Sequence, residues 1–328
     1  MKNLFGYTII FLISVIGVYI YSRFAKKKAI LDLPNDRSSH TIPTPRGGGI
    51  AIAITWFLSI FFLFIKNEID NSLFFALLCG IPISVIGLVD DVYTISPKVR
   101  LFVQITCGTI ALYLLGGLKI LDIGFNLISL PLLINILVII GIVWFTNLFN
   151  FLDGIDGYIS AEVIFIGLAF FALFGIIPPV LLAIVTAGFL VWNWQPAKIF
   201  MGDVGSTLLG FSIGIFAIYY QNNNDSSIII WLMLTSIFWF DASLTLYRRW
   251  RKGETLSKAH KKHAYQRMVQ SGWSHQRTVI WAQIINLPIL GLVVLSTFFP
   301  MLILFAFIIN ILYLYIIIKI VDKKNPQY

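Results

Sequence analysis

Eleven apolar runs of 14 to 20 residues fill most of the chain and leave only short polar segments between them. A helix needs about 20 apolar residues to cross ~30 Å of hydrocarbon, and backbone exposed to lipid must satisfy its hydrogen bonds internally. A polytopic helical membrane protein is the architecture that accommodates such runs. They lie at 4–22, 49–65, 73–89, 101–117, 131–147, 159–175, 178–194, 207–220, 228–246, 278–296 and 299–318. Only 12% of residues are charged, about half the ~25% of soluble domains. A soluble α/β enzyme, a disordered tail and a secreted disulfide framework are thereby disfavoured. Cys79 and Cys107 sit inside apolar runs and read as small buried hydrophobes.

The first run is followed by Arg23, Lys26, Lys27 and Lys28, not by a small-residue cleavage site, and so reads as an anchor helix. Pro178 and Pro179 between the sixth and seventh runs predict a tight hairpin. Cytoplasmic loops are enriched in Lys and Arg. With the amino terminus outside, 21 of the 24 Lys and Arg fall on inner segments, leaving Lys2, Lys66 and Lys119 outside. The expected fold is all-α: one integral-membrane domain over 1–328, about eleven transmembrane helices, amino terminus outside and carboxyl terminus cytoplasmic. Its cytoplasmic loops are expected near 23–48, 90–100, 148–158, 195–206 and 247–277.

The acids were not used to set this orientation. Glu68, Asp70, Asp122 and Asp225 fall outside among Asn, Lys or Ser. Five others, Asp90, Asp91, Asp153, Asp156 and Asp203, stand at inner helix ends with almost no basic neighbour in sequence. Adjacent carboxylates at a partly desolvated helix end repel, which a bound cation or a held proton relieves. Asn147, Asn150 and Asp153 recur at i, i+3 and i+6, with Asp156 next. If the fifth helix continues, they form one polar stripe that must face protein, metal or water. Around Asp203, the segment Phe200-Met-Gly-Asp-Val-Gly-Ser206 offers glycine amides and a hydroxyl at a helix start, where phosphate is well received. An Asp N-cap turn would look similar.

The segment 247–277 is the most basic and holds His260, His263 and His275. On a helix, His260 and His263 at i, i+3 would face the same way. Hydrogen bonding to phosphate suits them better than zinc ligation, since no Cys or Glu at suitable spacing joins them. Hard carboxylate ligands, phosphate-binding helix starts and basic residues on one membrane face point to Mg²⁺-assisted phosphoryl transfer from a soluble anionic substrate to a lipid. An ion-coupled transporter is the competing class; it predicts charges near mid-span and two related halves, neither of which is found.

Five motifs, in order, resemble the polyprenyl-phosphate N-acetylhexosamine-1-phosphate transferases. They are Pro34 to Gly49 with its Pro-Arg46-Gly-Gly-Gly end, Asp90-Asp91, Asn147 to Gly157, Phe200 to Ser206, and the histidine loop. The resemblance implies transfer of a sugar 1-phosphate from a UDP-linked N-acetylamino sugar to undecaprenyl phosphate, with release of UMP. It implies Mg²⁺, or Mn²⁺ in its place, held by Asp203 with Asp91. Catalytic roles go to Asp90, Asp91, Asp153, Asp156, His260 and His263. Substrate binding goes to Asn147, Asn150, Phe200 (stacked on uracil), Gly202, Ser206 and Arg46. The sequence Ala259-His-Lys-Lys-His-Ala-Tyr-Gln266 departs from the family's denser histidine clusters and looks like the branch that initiates O-antigen or capsule-type glycans in lipopolysaccharide and cell-wall synthesis. A site on the cytoplasmic face of the bacterial inner membrane, and a homodimer, complete the expectation.

Overall fold

The computed structural model describes residues 2–34, 42–93, 95–118, 120–124, 127–128, 130–256 and 260–327. Residues 35–41 of the Pro34–Gly49 motif and Ala259 of the histidine motif lie outside the described residues. The chain runs α1 (Lys2–Lys27), α2 (Gly49–Ile65), α3 (Asn71–Leu78), α4 (Gly80–Tyr93), α5 (Pro97–Leu114), α6 (Pro131–Leu152), α7 (Tyr158–Phe174) and α8 (Ile177–Asn193). It continues through α9 (Asp203–Asn222), α10 (Ile228–Leu234), α11 (Ser236–Arg251), α12 (Ala264–Gln270), α13 (His275–Phe298) and α14 (Ile303–Lys324).

Every apolar run of the sequence is helical. Among the described residues, six helical segments are long and apolar enough to cross a membrane, or seven if a bent pair counts as one span. α2, α7 and α8 are apolar but have only 17 residues each. The protein is therefore a mostly helical, multi-pass membrane protein. Two details correct the all-α expectation. Leu31–Asp32 (β1) pairs antiparallel with Thr44–Pro45 (β2), and Leu121–Asp122 (β3) with Leu127–Ile128 (β4).

The run at 228–246 is not one straight helix: α10 and α11 meet at 75°. The cause is local. Thr235 Oγ1 donates to Trp231 O at 2.7 Å, and Trp239 Nε1 reaches back to Leu232 O at 2.7 Å, satisfying a carbonyl at the break. The hairpin at the two prolines forms as expected. Gly175 ends α7 at φ +68°, and α8 starts two residues later with Pro178 and Pro179 in its first turn.

α9 is the central helix, buried along almost its whole length. It packs against α2, α4 and α6. Its crossing with α2 is backbone on backbone: a Cβ added to Gly49 would lie 2.4 Å from Gly205 Cα. Small residues permit this approach, and close packing holds helices together where lipid offers no hydrophobic drive. The bundle sorts its acids by end. Asp70 caps α3 and accepts from Tyr219 Oη at 2.9 Å, near the end of α9. At the other end, the start of α9 gathers Asp90, Asp91 and Asp153.

Candidate active site

The β1–β2 ladder turns the chain toward the start of α9, and three backbone bonds lock it there. Phe200 N donates to Pro45 O (2.8 Å), Gly48 N to Phe200 O (2.9 Å) and Gly49 N to Met201 O (2.8 Å). Arg46 is thereby held over two carboxylates. Its Nε lies 2.8 Å from Asp91 Oδ1 and its Nη2 2.8 Å from Asp203 Oδ1. From the first turns of α5, Arg100 Nη1 bridges Asp90 Oδ2 (2.6 Å) and Asp203 Oδ2 (2.8 Å). Both oxygens of Asp203 thus rest on guanidinium groups, which suit paired carboxylates by charge and geometry.

Asp91 has a second task. Its Oδ1 accepts from Asp203 N at 3.0 Å and its Oδ2 from Val204 N at 3.5 Å. A carboxylate from α4, instead of an open phosphate cradle, therefore sits on the first amides of α9, at the positive end of the helix dipole. Gly202 makes room for it: at φ +77°, an added Cβ would stand 2.4 Å from Asp91 Oδ2. Ser206 is fully buried, donating to Gly202 O at 3.1 Å and accepting from Asn150 Nδ2 at 3.2 Å. Its hydroxyl is committed within the protein.

Of the polar stripe on α6, Asn150 turns to the start of α9, and α6 ends at Asp153 as its C-cap. Asn150 also bonds Asp203. Asp153 is half-buried; desolvation first, then the negative charges of Asp203, Asp91 and Asp156, push its carboxyl up to about 7 against the pull of Arg46. Asn147 faces elsewhere, in a reciprocal amide pair with Gln104 of α5 (2.6 and 3.4 Å). Asp156 is buried as a tie: Oδ2 accepts from Ala197 N at 3.1 Å and lies 3.3 Å from His275 Nδ1, at the first residue of α13. Phe200 is half-buried beside Met201, and its backbone holds the Arg46 strap.

The histidines correct one expectation. They precede α12 in the loop, so no helix aligns them, yet their ring centroids are 4.9 Å apart. His263 is buried, 3.7 Å from Asp241 of α11, whose two carboxylate oxygens accept from Ala264 N at 3.0 Å each. Its ring lies near-parallel to Tyr265, at 5.9 Å, and Tyr265 Oη reaches Phe151 O at 3.4 Å beside Gly154. The loop therefore meets the acid cluster through Tyr265, on the turn that carries Asp153. Burial, with nearby cationic charge, lowers both His260 and His263 to about 4, so they are neutral at pH 7.

Among the described residues, the ion pairs of Asp90, Asp91 and Asp203 are with Arg46 and Arg100, and with Asp153 beside them the four acids carry two negative charges in excess of these two cations when all are ionised. Hard oxygen donors with surplus negative charge fit Mg²⁺ or Mn²⁺ by chemistry. Among the described residues, no three His, Cys, Asp or Glu side chains are already arranged as a ligand set. The arginines hold the oxygens that an ion would take.

Comparison with known proteins decides the family. The profile of glycosyl transferase family 4 matches residues 73–221, from α3 to the end of α9. A probable undecaprenyl-phosphate N-acetylglucosaminyl 1-phosphate transferase of Bacillus subtilis is 30% identical over 97% of this chain and 93% of its own. The chain belongs to this family. Undecaprenyl-phosphate alpha-N-acetylglucosaminyl 1-phosphate transferases of Thermotoga maritima (34% identical, 61% of this chain, 58% of its own) and Yersinia pestis (28%, 83% and 78%) are also similar. In this polyprenyl-phosphate N-acetylhexosamine-1-phosphate transferase family member, two partners of the expected site residues carry no local signal in the sequence: Arg100, on Asp90 and Asp203, and Gln104, on Asn147. Arg100 reads only as a topology charge, although it is the nearest basic residue that follows Asp90 and Asp91 beyond Lys98. Gln104, one turn later, is the lone amide in an apolar run.

Proposed function

We propose that the protein transfers N-acetylglucosamine 1-phosphate from its UDP-linked form to undecaprenyl phosphate, releasing UMP and leaving a lipid-linked diphosphate sugar for a cell-envelope glycan. The observation that carries this reading is the convergence of four carboxylates and two arginines, from α4, α5, α9, the end of α6 and the strap before α2, at one end of a membrane bundle. Such a site suits two anionic substrates, one soluble and one rooted in lipid. The relatives' names supply the sugar and the acceptor, and they carry no surface polymer; the O-antigen or capsule branch therefore adds nothing that the site supports. Intramembrane acids serving ion transport would lie near mid-span, whereas these are gathered at helix ends.

In this reading Arg46 and Arg100 turn from Asp91, Asp90 and Asp203 to the substrate phosphates, for which guanidinium has the same bidentate match. Asp203 and Asp91 would hold Mg²⁺, which when bound neutralises charge on the diphosphate and on departing UMP. Asp90, freed of Arg100, orients the lipid phosphate, whose oxygen attacks the β-phosphorus (counted from uridine) in line. Asp153, titrating near neutrality, takes or returns a proton at that phosphate. Tyr265 and the neutral His263 close the loop over Asp153. The site faces the cytoplasm at the inner membrane and the amino terminus lies outside, following the Lys and Arg bias of the loops; the eleven apolar runs give eleven crossings. A dimer is not needed for the chemistry.

The experiment is formation of lipid-linked N-acetylglucosamine from UDP-N-acetylglucosamine and undecaprenyl phosphate by the purified chain, with UMP followed in parallel. UMP release that depends on acceptor and on Mg²⁺ is expected. A burst of UMP without acceptor would replace direct attack by a covalent aspartyl route; no lipid product with any UDP-amino sugar would end the proposal.

A further inference from the structure

The last turns of α11 and α14 line a second recess, about 600 Å³ in volume and open to the surface, with Pro326 and Gln327 also in its lining. Its charged lining is Arg248, Arg251, Lys252 and Lys319 against a single acid, Asp322. That acid is satisfied from within the protein. Arg248 grips it with Nη1 and Nη2 at 3.0 and 2.6 Å, and Arg267 Nη1 adds a third contact at 3.0 Å. With Asp322 held by Arg248, the side chains of Arg251 and Lys319 leave the recess with a surplus of positive charge.

Its other walls are suited to the membrane surface. Tyr247 and Tyr315 are half-exposed at its rim, and Lys319 Nζ lies over the Tyr315 ring at 5.4 Å from its centroid. Tyrosines of this kind favour headgroup depth, with an apolar body and a wet tip. Toward the bundle's middle, Leu312, Ile316 and Ile320 of α14 are exposed, on a helix long and apolar enough to cross the bilayer. Gln327 Oε1 accepts from Arg248 Nη1 at 3.2 Å, and its Nε2 is buried with no partner among the described residues. A donor left over in a cationic recess asks for an acceptor oxygen.

Two milder effects account for basic residues in these turns: complementing helix C-terminal dipoles, and the loop charge bias that sets topology. Both ask only for charge near helix ends. Neither asks for two helices distant in sequence to build a walled recess with its one acid already paired. We propose that this groove binds the phosphodiester headgroup of an anionic glycerophospholipid, with the acyl chains running along the exposed apolar face of α14. Basic pockets between helix ends at a membrane surface receive such headgroups. The site is independent of the transferase reading, since none of its residues belongs to the acid cluster.

The test uses the full chain in non-ionic detergent, titrated with phosphatidylglycerol, phosphatidylcholine or undecaprenyl phosphate, and read by native mass spectrometry. Arg251→Gln with Lys319→Gln is the variant; Arg248 stays, because it holds Asp322. Removing a basic side chain weakens an anionic headgroup contact about fivefold, so the pair should bind phosphatidylglycerol about 25-fold more weakly. The lipid-free thermal midpoint and undecaprenyl phosphate binding should be unchanged, and phosphatidylcholine should bind poorly to both proteins. Should the double variant fail to fold, Lys319→Gln alone is expected to lose about fivefold. Unchanged phosphatidylglycerol affinity in the variant, or phosphatidylcholine binding as tight as phosphatidylglycerol, would overturn the proposal. So would a parallel loss of undecaprenyl phosphate, which would make the recess an acceptor site.

Discussion

Gly202→Ala isolates the contact on which the acid cluster is built. Gly202 stands at φ +77°, and the new Cβ would approach Asp91 Oδ2 at 2.4 Å, so two costs arise. The left-handed backbone conformation costs an L-residue roughly 1–2 kcal/mol. Displacing Asp91 from Asp203 N and Val204 N adds the loss of a charge-assisted interaction, about 1.5–3 kcal/mol. Gly116 supplies the control, because it has nearly the same φ, +78°, and nothing within 4 Å of an added Cβ. Gly116→Ala should therefore show only the backbone cost, and Gly202→Ala a total of about 2.5–5 kcal/mol. Thermal unfolding of both variants in one detergent should rank them in that order. Transfer activity should fall at least about 100-fold in Gly202→Ala, since moving Asp91 by an ångström misplaces Asp203 and Arg46 together, and should survive in Gly116→Ala. Equal midpoints for the two variants would refute the argument that Asp91 fills the start of α9.

Other outcomes follow from neighbouring contacts. Arg100→Gln leaves Asp90 and Asp203 without their shared cation; activity should drop about 100-fold or more with the fold intact by circular dichroism, and Arg100→Lys should recover part of it. His263 is lowered to about 4 in the folded protein, below its unfolded value near 6.5. The folded state then binds fewer protons, so stability is full above pH 6.5 and falls as pH drops toward 4. At pH 5 the loss is about 2 kcal/mol, and His263→Asn should remove that part of the pH dependence of the thermal midpoint. Trp239→Phe deletes the bond to Leu232 O that satisfies the break between α10 and α11; a loss of about 1–3 kcal/mol is expected in the same unfolding assay.

The helical segments were legible because bilayer thickness imposes a length on apolar runs, and every run proved helical. The acids were legible for a related reason: a carboxylate at an apolar helix end has few innocuous explanations. Asp90, Asp91, Asp153 and Asp203 do meet. What sequence could not reveal was partnership across long separations. Asp91 meets the amides of α9 from 112 residues away, and spacing says nothing about such a contact. Arg100 reads as a topology charge because a basic pair, Lys98 and Arg100, after a helix-starting proline has no local signature of bridging two acids. The bend at Thr235 was hidden because Thr-Ser pairs occur in straight helices as well. Asn147 and Asp156 show the same limit: spacing does not reveal that their side chains bond Gln104 and the Ala197 amide in this structure.

The most direct test of the central claim compares the chain with Asp203→Asn in one assay of lipid-linked N-acetylglucosamine formation. Asp203 joins Arg46, Arg100 and Asn150, so a neutral isostere keeps the packing and removes the charge that both guanidiniums share. The account predicts an Asp203→Asn protein with a native-like thermal midpoint and transfer reduced about 100- to 1,000-fold, of the size lost when an electrostatic group at a reacting centre is removed. Transfer at the wild-type rate by the folded variant would contradict it.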